Sequence, residues 1–286
     1  MDCNFLCEKK LAAESPLLHR LFKDSVVVLQ NILTSYQSIF PSYTDHSSLH
    51  SMQVANFCNN LIAENISKMT ATECFVLLMA CYLHDTGMGI PENEINDYFD
   101  SLGLTPEDST FEIKECIRKN HNDFSSVFVK KKSNFFDFPN EAIATAIAEV
   151  ARGHRNVDLF DEENYPSEID AGEFGRIRLP YLASLIRLAD EIDIAADRIP
   201  LLLVDYELVA LDEKCVREHE KHRAIRHLII NSDNLVMQVH TDDESLFEEI
   251  CQLRNKVKNT LDYCRRVVEK RTPFVLAQND ILIDRI

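Results

Sequence analysis

Hydrophobic positions recur at helical spacing through most of the chain. Over residues 16–39, Leu18, Leu21, Phe22, Leu29, Ile32 and Leu33 fall on one face, which predicts an amphipathic helix. Pro41 sets its limit. Val54, Phe57, Cys58 and Leu61 mark a second helix, from Ser47 or Ser48 to about Ile62. Thr70 and Glu73 have capping-box spacing and set a third over roughly 71–85. Its run FVLLMACYL is apolar on all sides, so this helix is expected to be central and buried. Gly87, Gly89 and Pro91 end it. Further helices are expected over 109–130, over 139–152 with Gly153 as the stop, and over the apolar stretch 179–197.

Two segments break this rhythm. Residues 155–176 are acidic and contain a proline and two glycines. They read as a long loop, a type of segment that often serves as a lid or binding loop. Beyond residue 200, His227–Ile230 and Leu235–Val239 flank Asn231–Asn234, which predicts a hairpin. A last long helix over 244–270 carries Leu246, Ile250, Leu253, Val257, Leu261, Cys264 and Val268 in steps of three and four. Such a stripe is expected to pack within the chain. The expected fold is all-α, a mainly helical bundle over 1–200. Residues 201–286 form an appendage with a small β-hairpin and the long helix, packed on the first part. Six glycines and nine prolines in 286 residues favour helices over turn-rich sheets.

Composition narrows the function. A formal net charge of −17 argues against a protein that grips a nucleic-acid backbone, because that task needs basic patches. It leaves room for a small phosphate ester held by cations. The nine cysteines are dispersed, odd in number and contain no CxxC pair, so they read as free thiols of a reducing compartment. The start MDCNFLCEKK lacks the features of a signal peptide. The apolar stretch Cys74–Leu83 falls short of the ~20 residues that span a bilayer. No membrane association and a cytoplasmic location are therefore expected.

The candidate chemistry lies at helix ends. His84-Asp85 closes an otherwise apolar helix (CYLHDTGMG), where an unpaired carboxylate is costly. Alone, it reads equally well as a solvent-facing helix end. Asp190 repeats the situation in LIRLADEID, with Arg187 three residues earlier as an alternative ion-pair partner. His50, His121 and His154 would each read as a solvated histidine if taken singly. Together with the acids they form an imidazole–carboxylate set suited to Mn, Fe, Zn, Ni or Co. Six such groups are enough for two divalent metal ions with open positions. Arg118, one helical turn before His121, is a candidate substrate-phosphate contact or the partner of a nearby acid. There is no GxSxG elbow and no P-loop.

The ordered set His50, His84-Asp85, His121, His154, Asp190 resembles the HD superfamily of metal-dependent phosphohydrolases. YTDHSSLHS, YLHDTGMG and LIRLADEID are similar to its first-histidine, doublet and closing-aspartate motifs, over roughly residues 40–200. HEKHRAI with the hairpin and long helix resembles a bacterial HD subgroup often fused to ATPase or effector modules. The resemblance implies that His50, His84, Asp85 and Asp190 ligate one metal. Asp85 would bridge to a second metal completed by His121 and His154. His46 would stand behind the ligands or touch substrate, and Arg187 is expected to brace Asp190. Met88 stands where the cyclic-dinucleotide phosphodiesterase branch has a lysine, and the GYP signature of that branch is absent, which argues against that activity.

The expected function is hydrolysis of a nucleotide or related small phosphoester by metal-activated hydroxide, with Asp85 central and two divalent ions (Mn, Fe, Zn, Ni, Co or Mg) as cofactors. One alternative is a non-catalytic nucleotide-sensing module that acts on a partner. Another is a nuclease, for which Lys130-Lys131-Lys132 is the only dense basic run. The expected partners are a small phosphorylated substrate and either a second copy or an ATPase or effector module.

Overall fold

The computed structural model describes residues 5–34, 48–105, 110–195 and 213–286. The chain is mainly helical, with only small sheets. Two helices open it, α1 (Leu6–Glu14) and α2 (Pro16–Thr34). α3 (Ser48–Ile62) and α4 (Ala71–Leu83) follow. Next come a short α5 (Ile95–Ser101), then α6 (Thr110–Lys131), α7 (Glu141–Arg152) and α8 (Leu179–Glu191). α9 (Glu213–Ala224) precedes the strands β3 (Ile225–Ile230) and β4 (Asn234–Val239). α10 (Glu244–Arg271) and β5 (Asp280–Arg285) close the chain. The segment after α7 contains a two-residue ribbon, β1 (Ile169–Asp170) against β2 (Arg176–Ile177).

α4 is the axis of the bundle. Every residue from Thr72 to Leu83 is buried, as its uniform apolarity predicts, and α1, α2, α3, α7 and α8 pack around it. The capping box forms: Thr70 Oγ1 accepts from Glu73 N at 3.0 Å, and Glu73 Oε2 accepts from Thr70 N at 2.9 Å. Glu73 is fully buried, and its second partner is Arg178, whose Nε donates to Oε1 at 2.6 Å. The guanidinium also lies 4.3 Å from the centre of the Phe274 ring. The charge is therefore neutralised and hydrogen-bonded on all sides, which burial of a carboxylate requires.

The expected hairpin is present with a third strand beside it. β4 pairs antiparallel with β3 and parallel with β5, and Leu235, Met237, Val239 and Ile281 point inward. The stripe on α10 is spent on this sheet and on α8, with Leu246, Ile250, Val257, Leu261 and Cys264 buried. The segment 155–176, expected as a possible cover, is largely tied down. Tyr165 is buried and donates to Glu149 O at 3.1 Å, while Arg271 donates to Leu159 O and Tyr165 O, both at 2.9 Å. The expected end of the first helix beyond Thr34 and the expected boundary near residue 200 lie outside the described residues.

Candidate metal centre

Six elements deliver the predicted side chains to one place. His50 sits in the first turn of α3, His84 at the C-cap of α4, and Asp85 in the turn after it. His121 follows Asn120, whose φ of −114° and ψ of 17° interrupt α6. His154 comes directly after the C-cap Gly153 of α7, and Asp190 lies in the last turn of α8. His46 lies outside the described residues.

Two glycines explain how the helices approach closely enough. A Cβ on Gly87 would lie 2.2 Å from His121 O and 2.6 Å from Ser125 N, so the turn after the doublet rests directly on the α6 backbone. Gly87 N donates to Ser125 Oγ at 2.8 Å, and that hydroxyl donates to His84 O at 2.5 Å. A Cβ on Gly153 would meet Ala183 Cβ at 2.7 Å, which brings the end of α7 against α8.

Each histidine is aimed from behind. His84 Nδ1 lies 2.9 Å from Cys81 O, His121 Nδ1 2.7 Å from Arg118 O, and His154 Nδ1 2.6 Å from Ala151 O. A carbonyl only accepts, so in each ring Nδ1 carries the proton and Nε2 presents its lone pair forward. His50 is held differently, with Nδ1 2.6 Å from Asp193 Oδ2. Asp193 is three residues beyond Asp190 and is not among the residues singled out from the sequence; its place as the second aspartate of LADEID is its only signal.

The forward nitrogens converge on Asp85. Its Oδ2 lies 3.3 Å from His50 Nε2 and 3.2 Å from His84 Nε2. Its Oδ1 lies 3.4 Å from His121 Nε2 and 3.7 Å from His154 Nε2. Asp190 Oδ1 joins the first pair, 3.3 Å from His50 and 3.8 Å from His84. Within the pairs the Nε2 atoms are only 3.1 Å (His50–His84) and 3.0 Å (His121–His154) apart. Lone pairs at that separation repel unless a proton or a cation lies between them. With metal–nitrogen bonds of about 2.0–2.1 Å, ligand nitrogens on adjacent corners stand about 2.9–3.4 Å apart. The donor set, its spacing and its burial therefore fit divalent cations. Two overlapping groups could each hold one: His50, His84 and Asp85, and Asp85, His121 and His154.

The electrostatics agree with a cation-seeking cluster. Burial alone would lower the pKa of His84, but Asp85 and Asp190 outweigh it and hold that imidazole well above its ordinary value. His154 is driven well below its ordinary value by burial and by His84 and His121. Burial opposes ionisation of Asp190, yet its contacts with His50 and His84 keep it well below the usual carboxylate range.

The sequence model of the HD-CE family matches residues 40–273. The chain belongs to the HD-CE family. The match runs through the doublet, the other predicted ligands and all of α10, so this HD-type domain includes the hairpin and long helix as well as the bundle helices from α3 onward. No curated protein matches the chain.

In this HD-CE domain the cluster forms the floor of a cavity of about 780 Å³. Asp85, His121, His154 and Asp190 line one side. Glu218 and His222 of α9 and Lys256, Asn259, Thr260 and Tyr263 of α10 line the other. None of these α9 and α10 residues was singled out as a site residue from the sequence. Arg118 pairs with Glu115 at 2.9 Å and lines a neighbouring cavity; its carbonyl, not its guanidinium, serves the cluster. Arg187 does not brace Asp190. Its Nε and Nη2 donate to Gly153 O and Val157 O, both at 2.8 Å, so it clamps the segment that carries His154. Among the described residues, no helix is long and apolar enough to cross a membrane.

Proposed function

We propose that this HD-CE domain hydrolyses a phosphoester of nucleotide size, with two divalent metal ions as cofactors. The observation that carries the reading is the division of Asp85, whose two oxygens face two different histidine pairs. His50, His84, Asp85 and Asp190 would hold one ion, and Asp85, His121 and His154 the other. Two such ions would lower the pKa of a coordinated water and neutralise charge on the phosphate. The protein contributes orientation: Nδ1 anchors fix all four imidazoles, so little reorganisation is needed when charge develops. The cavity volume lies in the range of small-ligand sites. Asn156, Asn259 and Thr260 offer neutral hydrogen-bonding groups to the parts of a substrate away from the phosphate.

Elemental analysis of purified protein tests this, with transition metal added if it washes out. Close to two equivalents in wild type, lost in Asp85→Ala together with hydrolysis in a nucleotide screen, is the expected result. Metal retained by Asp85→Ala, or full activity without its carboxylate, would sink the proposal. A sensing role is the second reading. One helix, α10, both lines the cavity and packs on the C-terminal sheet, so an occupant of the cavity touches an element that reaches the far end of the fold. Metal-loaded protein that binds nucleotides with no turnover would favour it.

A further inference from the structure

Three cations line the cavity over the cluster: Arg155, Arg187 and Lys256. Two of them are engaged. Arg187 is buried and donates to the Gly153 and Val157 carbonyls, and Lys256 pairs with Glu191 at 2.8 Å. Arg155 differs. Its Nη1 lies 3.3 Å from His121 Nδ1. That nitrogen already carries the proton it gives to Arg118 O at 2.7 Å, so it is no acceptor for a guanidinium. Arg155 makes no ion pair among the described residues. Its charge is felt by Glu191, but that carboxylate is already paired with Lys256. A half-buried guanidinium with no salt bridge of its own among the described residues, adjacent in sequence to His154 and in space to His121, is a group arranged for an anion that is brought in.

Its position adds a second argument. Arg155 and Asn156 line both the cavity over the cluster and the neighbouring cavity of about 620 Å³ that contains Arg118 and Lys119. The doublet's own turn offers no cation, because Met88 is buried in a small apolar cluster with Ile90, Tyr98, Phe99 and Phe124. Among the described residues, the turn after α7, which Arg187 holds in place, brings the Arg155 guanidinium beside the ligands.

We infer that Arg155 is the residue that grips the substrate's phosphate oxygens beside the metal cluster, and that Arg118 in the neighbouring cavity is not. The inference rests on the phosphohydrolase reading for its substrate class, but not for its test. A planar guanidinium binds phosphate through two parallel hydrogen bonds, which an amide or an ammonium does not reproduce.

The test is calorimetric binding of pyrophosphate to manganese-loaded protein, with bound manganese counted in every variant. Arg155→Gln should keep the wild-type manganese content and weaken pyrophosphate binding by about 10- to 100-fold, the size of a lost charged contact. Arg155→Lys should recover part of it. Arg118→Gln should cost clearly less than Arg155→Gln. Wild-type affinity in Arg155→Gln, an equal or larger loss in Arg118→Gln, or no pyrophosphate binding by manganese-loaded wild type would each overturn the inference. Turnover separates it from the broader reading. Protein that binds pyrophosphate through Arg155 yet hydrolyses no phosphoester keeps this inference and overturns the hydrolase. Protein that hydrolyses phosphoesters with unchanged KM and kcat in Arg155→Gln does the reverse.

Discussion

The two walls of the cavity are built on different principles. On the α3–α4–α6–α7 wall, every histidine of the cluster is fixed from behind by a backbone carbonyl or a buried carboxylate. On the α10 wall, Lys256 is a long side chain with 69 % of its surface exposed, attached to one acid. Rigid placement costs little when the anchor is a carbonyl of the preceding helical turn, three residues back, as in His84, His121 and His154. A mobile ammonium surrenders rotamer entropy whenever it is held. The first wall is therefore suited to holding cations at fixed spacing, and the second to adapting to whatever lies over them.

The rigid wall breaks most severely where backbone meets backbone. Gly87→Ala puts a methyl group 2.2 Å from His121 O, and neither side is a flexible chain end that can swing away. The doublet turn and α6 must separate, which moves Asp85 away from His121 and His154. We expect a loss of about 1–3 kcal/mol in stability, read by thermal unfolding, and a metal content that falls towards one equivalent. Full metal content at wild-type stability would show that the close approach does not set the spacing. A step smaller is Asp193→Asn. It keeps the shape behind His50 but removes the charge that accepts from Nδ1 at 2.6 Å. Loss of such a supporting carboxylate costs about 10- to 100-fold in metal affinity, measurable by competition with a chelator. An unchanged affinity would mean that Asp193 is spare.

The two walls also differ in how far the sequence discloses them. The first is legible because its ligands interrupt apolar helices. His84-Asp85 follows FVLLMACYL, and Asp190 interrupts LIRLAD, where polar groups need a reason. The capping box at Thr70 and the stripe on α10 are equally local signals, and both appear as expected. What stays hidden depends on partners distant in sequence. α9, EKCVREHEKHRA, is charged almost throughout and has no apolar stripe to announce it, yet His222 is anchored on Ile194 O at 2.8 Å. β5 finds its place beside β4 only by parallel pairing across α10. For Arg118, one turn from His121, the sequence leaves a phosphate contact and an ion pair with a nearby acid equally open; Glu115, three residues before it on the same helix, supplies that acid. Arg187 was matched to Asp190 by the same local spacing, while its acceptors are 34 and 30 residues away.

The smallest effect belongs to the adaptable wall, and it sharpens the contrast. Burial raises the pKa of Glu191, and Lys256 works against that shift, so the ammonium is partly committed to its own neighbour before any substrate arrives. An ion pair whose lysine stays exposed contributes only about 0–1 kcal/mol, so the effect of Lys256 on a substrate is expected to be small as well. Lys256→Gln should therefore change KM by no more than about five-fold while bound metal stays at the wild-type level, because no cluster atom depends on Lys256 for its position. Steady-state kinetics with parallel metal analysis reads both. A hundred-fold loss of kcat, or a fall in metal content, would place Lys256 among the rigidly required groups and erase the distinction between the two walls.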